Sequence, residues 1–161
     1  MAGSGSGSES KKFRLFRVFA LAMIVSVVLG IMHCVSGELL IAAHMQFDYI
    51  AQDWYHSNPT VELWHGTVWI AIGIGVTLAF GVTSKSVKVA ALQGFIVGLF
   101  VPLISILLLN LRDLGEPGSV GWFILALPIF IYLNLLPAVI GGLISVVGYG
   151  GKYFYRKKYM Q

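Results

Sequence analysis

The chain has 161 residues, of which 57% are hydrophobic and 11% charged, and a mean hydropathy of +0.82. So few charges cannot solvate a globule of this size, which excludes a soluble domain and points to an all-α integral membrane protein. The short alternating segments of a β-barrel do not occur. The formal net charge of +4 fits helix ends lying against an anionic inner leaflet, and no nucleic-acid partner is expected.

Residues 1–12 are rich in Gly and Ser and are predicted to form a disordered tail. Ala2 stands where a myristoylation signal needs Gly. Lys11, Lys12, Arg14 and Arg17 lead into the first span, predicted over 16–41. Its apolar run is too long for a signal-peptide core and no small-residue cleavage site follows, so it is expected to stay as an anchor. Further spans are predicted over 63–83, 87–111 and 120–148, giving one membrane domain over 13–158 and a short tail at 159–161. Each span has the roughly 20 residues that cross about 30 Å of hydrocarbon. The first connection, 43–62, has room for a turn or one interfacial helix, whereas 84–88 and 112–121, the latter with Glu116, Pro117 and Gly118, read as tight turns. Short connections make sequential helices antiparallel neighbours, and the expected architecture is an up-down four-helix bundle.

Charge sets the orientation. Ten of the eleven Lys and Arg residues lie at one set of helix ends: the four named above, Lys85, Lys88, Lys152, Arg156, Lys157 and Lys158. Arg112 is the exception. Five of the seven acids, Asp48, Asp53, Glu62, Asp113 and Glu116, lie at the other ends. Flanking Lys and Arg stay cytoplasmic, so the N and C termini are both predicted inside. Trp54, Tyr55, Trp64 and Trp122 fall at the outer interface, and Phe13, Phe16, Tyr149, Tyr153 and Tyr155 at the inner one, as amphipathic rings prefer.

Small residues recur at helical spacing: Ser26, Gly30, His33 and Gly37; Gly66, Gly73 and Thr77; Gly94 and Gly98; Asn134, Ala138, Gly141 and Ser145. In lipid, helices associate by close backbone approach, so these stripes are predicted to be mostly internal packing faces, with an oligomer interface as the alternative for one of them. Pro102, Pro128 and Pro137 fall inside spans and each removes a backbone hydrogen bond.

Ionisable and polar groups within spans are the candidates for chemistry, because burying them is unfavourable by several kcal/mol. They are His33, Cys34, Glu38 and Asn134. Glu38 falls near the outer hydrocarbon boundary, where a wetted carboxylate is expected, and on the same face as Cys34, which is too isolated for an intrachain disulfide. His33 lies about 7 Å deeper, on the Gly30/Gly37 stripe, and is predicted to hydrogen-bond across the bundle to a hydroxyl or carbonyl. Asn134, near the midplane, reads as a bond between helices. A metal site built from His44, His56, Glu62 and His65 at the outer surface is the alternative use of the histidines, since loops can gather such groups within roughly 2 Å of one ion. No zinc, nucleophile-elbow or phosphate-loop motif occurs, so no cofactor and no enzymatic activity are expected. Pro59 in Asn58-Pro59-Thr60 blocks glycosylation there.

Two segments carry a likeness. Residues 29–37 (LGIMHCVSG) and 63–73 (LWHGTVWIAIG) resemble the membrane-spanning four-domains family of B-lymphocyte-antigen-type tetraspans, with a Gly-containing first span and a Trp and Gly entering the second. The resemblance implies a eukaryotic protein of the plasma membrane or endomembranes. Such a protein assembles with itself or with receptors and modulates signalling or ion flux. The expected function is lateral association, as a homo-oligomer or in a complex with other membrane proteins. A small transporter or channel, and an accessory subunit of a larger, possibly respiratory, membrane complex, are the alternatives.

Overall fold

The computed structural model describes residues 6–45, 59–111 and 119–159, with side chains described for Phe13 and for 16–39, 63–108 and 124–159. Four helices account for nearly all of them: α1 Ser6–Met45, α2 Pro59–Thr83, α3 Val87–Leu111 and α4 Ser119–Tyr159. Each contains a stretch long and apolar enough to cross a membrane, namely Phe16–Leu39, Leu63–Thr83, Val87–Leu108 and Ile124–Tyr159. The prolines at 102, 128 and 137 all sit inside continuous helix.

The helix ends follow from local chemistry. Pro59 is the first helical residue of α2, a position that suits its fixed φ and missing N–H. At the other end of α2 the Ser84 N–H reaches the carbonyls of Phe80 and Gly81 at 3.0 and 3.2 Å. Ser86 then starts α3, accepting the Val89 N–H on its hydroxyl at 3.4 Å and the Ala90 N–H on its carbonyl at 3.0 Å. At the N-terminus α1 begins at Ser6, so helix covers residues 6–12, which composition assigned to a disordered tail. Extending a helix already nucleated by an apolar span fixes one residue per new hydrogen bond.

Helix α3 is the hub, packed extensively on α1 and α4 and less on α2, whose main partner is α4. The arrangement departs from the expected neighbour order. Among the described residues the main backbone partner of α1 is α3, and α1 has no comparably extensive contact with α2. Small residues set this pairing. At Gly30 of α1 an added Cβ would stand 2.7 Å from Ile104 Cγ2 and 3.2 Å from the Val101 carbonyl, a separation that only glycine tolerates. Ala22 meets Ile96 and Val97 lower on the same helix, so α1 and α3 run parallel. Gly94 and Gly98 of α3 lie against Gly141 and Pro137 of α4, antiparallel, closely enough that a methyl group at either glycine would strike the opposing carbonyl. Gly81 of α2 faces Ser145 of α4, and Gly148 of α4 faces Leu78. Farther along, Lys152 Nζ donates to the Ser84 carbonyl at 2.8 Å, so α2 and α4 are parallel as well.

The core is thin. Ala22, Phe80, Ile96 and Val97 form its centre, with Met23, Val25, Val76 and Phe100 packed around them. Beyond it, large apolar side chains such as Ile24, Ile70, Leu125, Leu136 and Val147 point outward. The Lys152 to Ser84 contact joins the basic end of α4 to the turn carrying Lys85 and Lys88. Arg17, five residues before Ala22, lies toward the same end.

Ser145 stands out in the α3/α4 seam: it is fully buried and its hydroxyl has no hydrogen-bond partner among the described residues. Ala at this position keeps the Cβ that touches Gly94 and removes an unpaired dipole from an apolar site. Ser145→Ala should therefore raise the midpoint of thermal unfolding in mild detergent, by the equivalent of about 1 kcal/mol. A lower midpoint would mean that the hydroxyl has a partner in the folded protein.

Candidate functional site

Antiparallel α1 and α2, whose backbones diverge, meet through one group of polar and aromatic side chains near their ends opposite the basic cluster. His33 and Ser36, one turn apart on α1, face His65 and Trp69, one turn apart on α2. The imidazoles of His33 and His65 stack with centroids 5.2 Å apart and planes 12° from parallel. The Trp69 indole stands edge-on to both, at 5.3 Å from His33 and 6.4 Å from His65. Ser36 Oγ is 2.9 Å from His65 Nε2 and accepts the Trp69 indole N–H at 2.9 Å. That N–H also lies 3.1 Å from His65 Nε2. Ser36 Oγ can donate in turn to the His33 carbonyl at 2.9 Å.

On the other side of His33, Nδ1 is 3.0 Å from Ser105 Oγ of α3. Ser105 is buried, and its single proton has two backbone acceptors in reach, the Val101 carbonyl of its own helix at 2.9 Å and the Gly30 carbonyl of α1 at 3.3 Å. When that proton is on a backbone carbonyl, the hydroxyl accepts from His33 Nδ1–H, the tautomer that leaves a lone pair on Nε2. No hydrogen bond to that second nitrogen is found among the described residues. The cluster thus ties three helices together, with no hydrogen bond at His33 Nε2 or His65 Nδ1 among the described residues.

Beside it lies a cavity of about 530 Å³ between α2, α3 and α4, with His33 and Trp69 in its wall. This is the size range of small-molecule sites. The cavity exists because α2 and α4 approach closely around Gly81 and Gly148 but not around Gly66 and Gly73, where an added Cβ would meet nothing within 4 Å. Those two glycines, expected at a helix contact, line the cavity instead. Its surface is almost wholly apolar. The Thr77 hydroxyl bonds back to the Gly73 and Ile74 carbonyls at 2.9 Å.

The other candidates fall elsewhere. Gly37 is in ordinary contact range of His65, with an added Cβ 3.7 Å from Cε1. Cys34 and Glu38 are half-buried, and the Cys34 thiol is free. Asn134 is buried, but its amide donates to the Phe130 carbonyl of its own helix at 2.7 Å, where a bond between helices was expected. An amide one turn from a backbone carbonyl finds that acceptor without any neighbour. Of the proposed outer metal cluster, His56 and the side chains of His44 and Glu62 lie outside the described residues, and His65 is paired with His33, Ser36 and Trp69. Among the described residues no three His, Cys, Asp or Glu groups converge on one point.

Ser36, Trp69 and Ser105 were not singled out by sequence. The pattern that carries them is a His and Ser three apart on one span and a His and Trp four apart on the next. His33 is six residues inside the end of its span, and Trp69 is six inside the start of its own. No protein-family model matches the chain, and no curated protein or solved structure matches it either.

Proposed function

We propose that the protein is a multi-pass membrane protein, both termini cytoplasmic, that acts by lateral association with itself or with other membrane proteins and carries out no reaction of its own. The observation that carries the reading is the outward apolar surface of all four helices. Phe19, Ile31, Leu63, Ile129, Leu143 and Phe154 are among many large side chains left exposed, in a chain whose charged residues gather at helix ends. A surface of that kind is stable only in lipid or against other apolar helices. The basic ends of α2, α3 and α4 lie together, which supports an inner-leaflet position for Lys85, Lys88, Lys152 and Arg156. The likeness of residues 29–37 and 63–73 to the four-domains tetraspans supports association over transport. So does the wall of the cavity, which offers an ion no chain of polar groups.

Two measurements test this. In a Cys34→Ala background, cysteines introduced at Ser57 and Ser119 should react with an impermeant thiol reagent in intact cells, and one at Ser86 only after permeabilisation. The reverse pattern would invert the topology. Purification in mild detergent should yield a discrete homo-oligomer or a stoichiometric membrane partner; a monodisperse monomer retaining its fold would remove the association reading.

A further inference from the structure

We infer that the cavity between α2, α3 and α4 is a binding site for a hydroxyl-headed lipid, a long-chain alcohol or a sterol, whose hydroxyl donates to His33 Nε2 while its apolar body fills the space toward Thr77. The inference rests on the membrane reading above, because the ligand enters from lipid, and is independent of lateral association.

Three observations select this chemistry. First, the cavity is polar at one end only. Gly66 to Thr77, the α2 residues that bound it, span eleven residues or about 16 Å of helix, and the walls beyond His33 and Trp69 are contributed by Val, Ile, Pro and Gly and by Thr77, whose hydroxyl is bonded to its own helix. A ligand matching that wall has one polar atom or group and an extended hydrocarbon body. Second, in the tautomer with Nδ1–H toward Ser105 the polar end presents an acceptor. Nδ1 of His33 is engaged by Ser105 on α3, and the Trp69 N–H by Ser36 on α1 and His65 on α2. The lone pair on Nε2 is left, and an aliphatic hydroxyl supplies the proton it lacks. A carbonyl or ether head has no proton to give. A carboxylate would bring a net charge into a wall that holds no cation. Third, the acceptor is held still: the His33 ring is clamped between the Ser105 hydroxyl, the His65 face and the Trp69 edge. A ring fixed on three sides is organised for its ligand before binding.

The test uses the full chain reconstituted in phosphatidylcholine vesicles with a photoreactive, alkyne-tagged hexadecanol. Crosslinks should map to the cavity-lining residues of α2 and α3, and excess hexadecanol or cholesterol should compete. Whichever competes at the lower concentration identifies the straight-chain or the sterol source. Hexadecane and hexadecanoic acid should need about tenfold more, the factor that one lost hydrogen bond represents. His33→Phe keeps a stacking ring and removes the acceptor, so labelling should fall about tenfold and the alcohol should lose its advantage over the alkane. Gly73→Leu fills the cavity from a position where a side chain meets open space and should abolish labelling while the protein still elutes as the parent does. Equal competition by alkane and alcohol, preference for the acid, or crosslinks confined to the outward faces of the helices would each overturn the assignment. The competition series is run on the unmodified chain, so a misfolded variant cannot obscure it. Failure here with the thiol-labelling pattern intact would remove the lipid site and leave the membrane topology standing.

Discussion

Gly98→Leu is expected to be strongly damaging, lowering stability in mild detergent by about 3 kcal/mol, the upper part of the range for overpacking a filled interior. A Cβ at this position would run into the Pro137 carbonyl and approach the Ala138 Cα at 2.9 Å. Neither atom is the end of a flexible side chain, so α3 and α4 must separate. In lipid, close packing across such a seam is what holds two helices together, and separation gives it up. The same substitution at Gly73 adds its side chain to open cavity and should change stability by less than about 1 kcal/mol. Glu38→Gln, half-buried near the end of the apolar stretch of α1, should be less damaging than Gly98→Leu. Thermal unfolding of the three variants in one detergent separates these expectations. Equal damage at Gly98 and Gly73 would show that the α3/α4 seam is looser than its backbone distances indicate.

The two glycines also mark where sequence stops being informative. Both sit on small-residue stripes, and a stripe specifies a face on which helices can approach, not one on which they do. Gly94 and Gly98 meet Gly141 and Pro137 because α3 crosses α4 there, whereas Gly66 and Gly73 lie where α2 has already diverged from α4. The divergence is fixed by the close approach at Gly81 and Gly148, a tertiary fact with no local signature. The four apolar helices were legible, because hydropathy over about 20 residues is a property of the chain alone. Their neighbour order was not. Short connections argued for α1 beside α2, but the 13 residues from 46 to 58 permit α1 to settle against α3 instead.

His33 was legible in a different way. A ring within a span needs a partner, and a hydroxyl on another helix was the expected one; Ser105 occupies that place at 3.0 Å. His65 was assigned to a surface group with His44, His56 and Glu62, since nothing in composition indicates which way a residue near a span's end turns. Depth would have corrected it. Antiparallel spans bring residues at equal distance from the same interface opposite one another, which puts His33 and Ser36 level with Trp69 and His65.

The largest effect at this cluster is expected from His33→Ala, which should destabilise the protein by about 2–3 kcal/mol, with a measurable energetic coupling to His65. Removing the ring ends the stack on His65 at 5.2 Å and the edge contact with Trp69 at 5.3 Å, and leaves a void beside an existing cavity. It does not orphan Ser105, whose hydroxyl keeps the Val101 carbonyl at 2.9 Å, so no unpaired-group penalty is added. His33→Gln retains an N–H for Ser105 but not the flat stacking face, and should fall between, at about 1 kcal/mol. In a double-mutant cycle with His65→Ala the coupling should reach about 0.5–1.5 kcal/mol, the range for a ring pair in contact. Ser36 is the control for the alternative that its hydroxyl, and not the His33 ring, holds His65 against α1. If Ser36→Ala and His65→Ala couple while His33→Ala and His65→Ala add within about 0.3 kcal/mol, then the hydroxyl and not the stack joins α1 to α2. Full additivity of both pairs would mean that the two helices do not meet at this level, and the acceptor in the cavity wall would lose its fixed position.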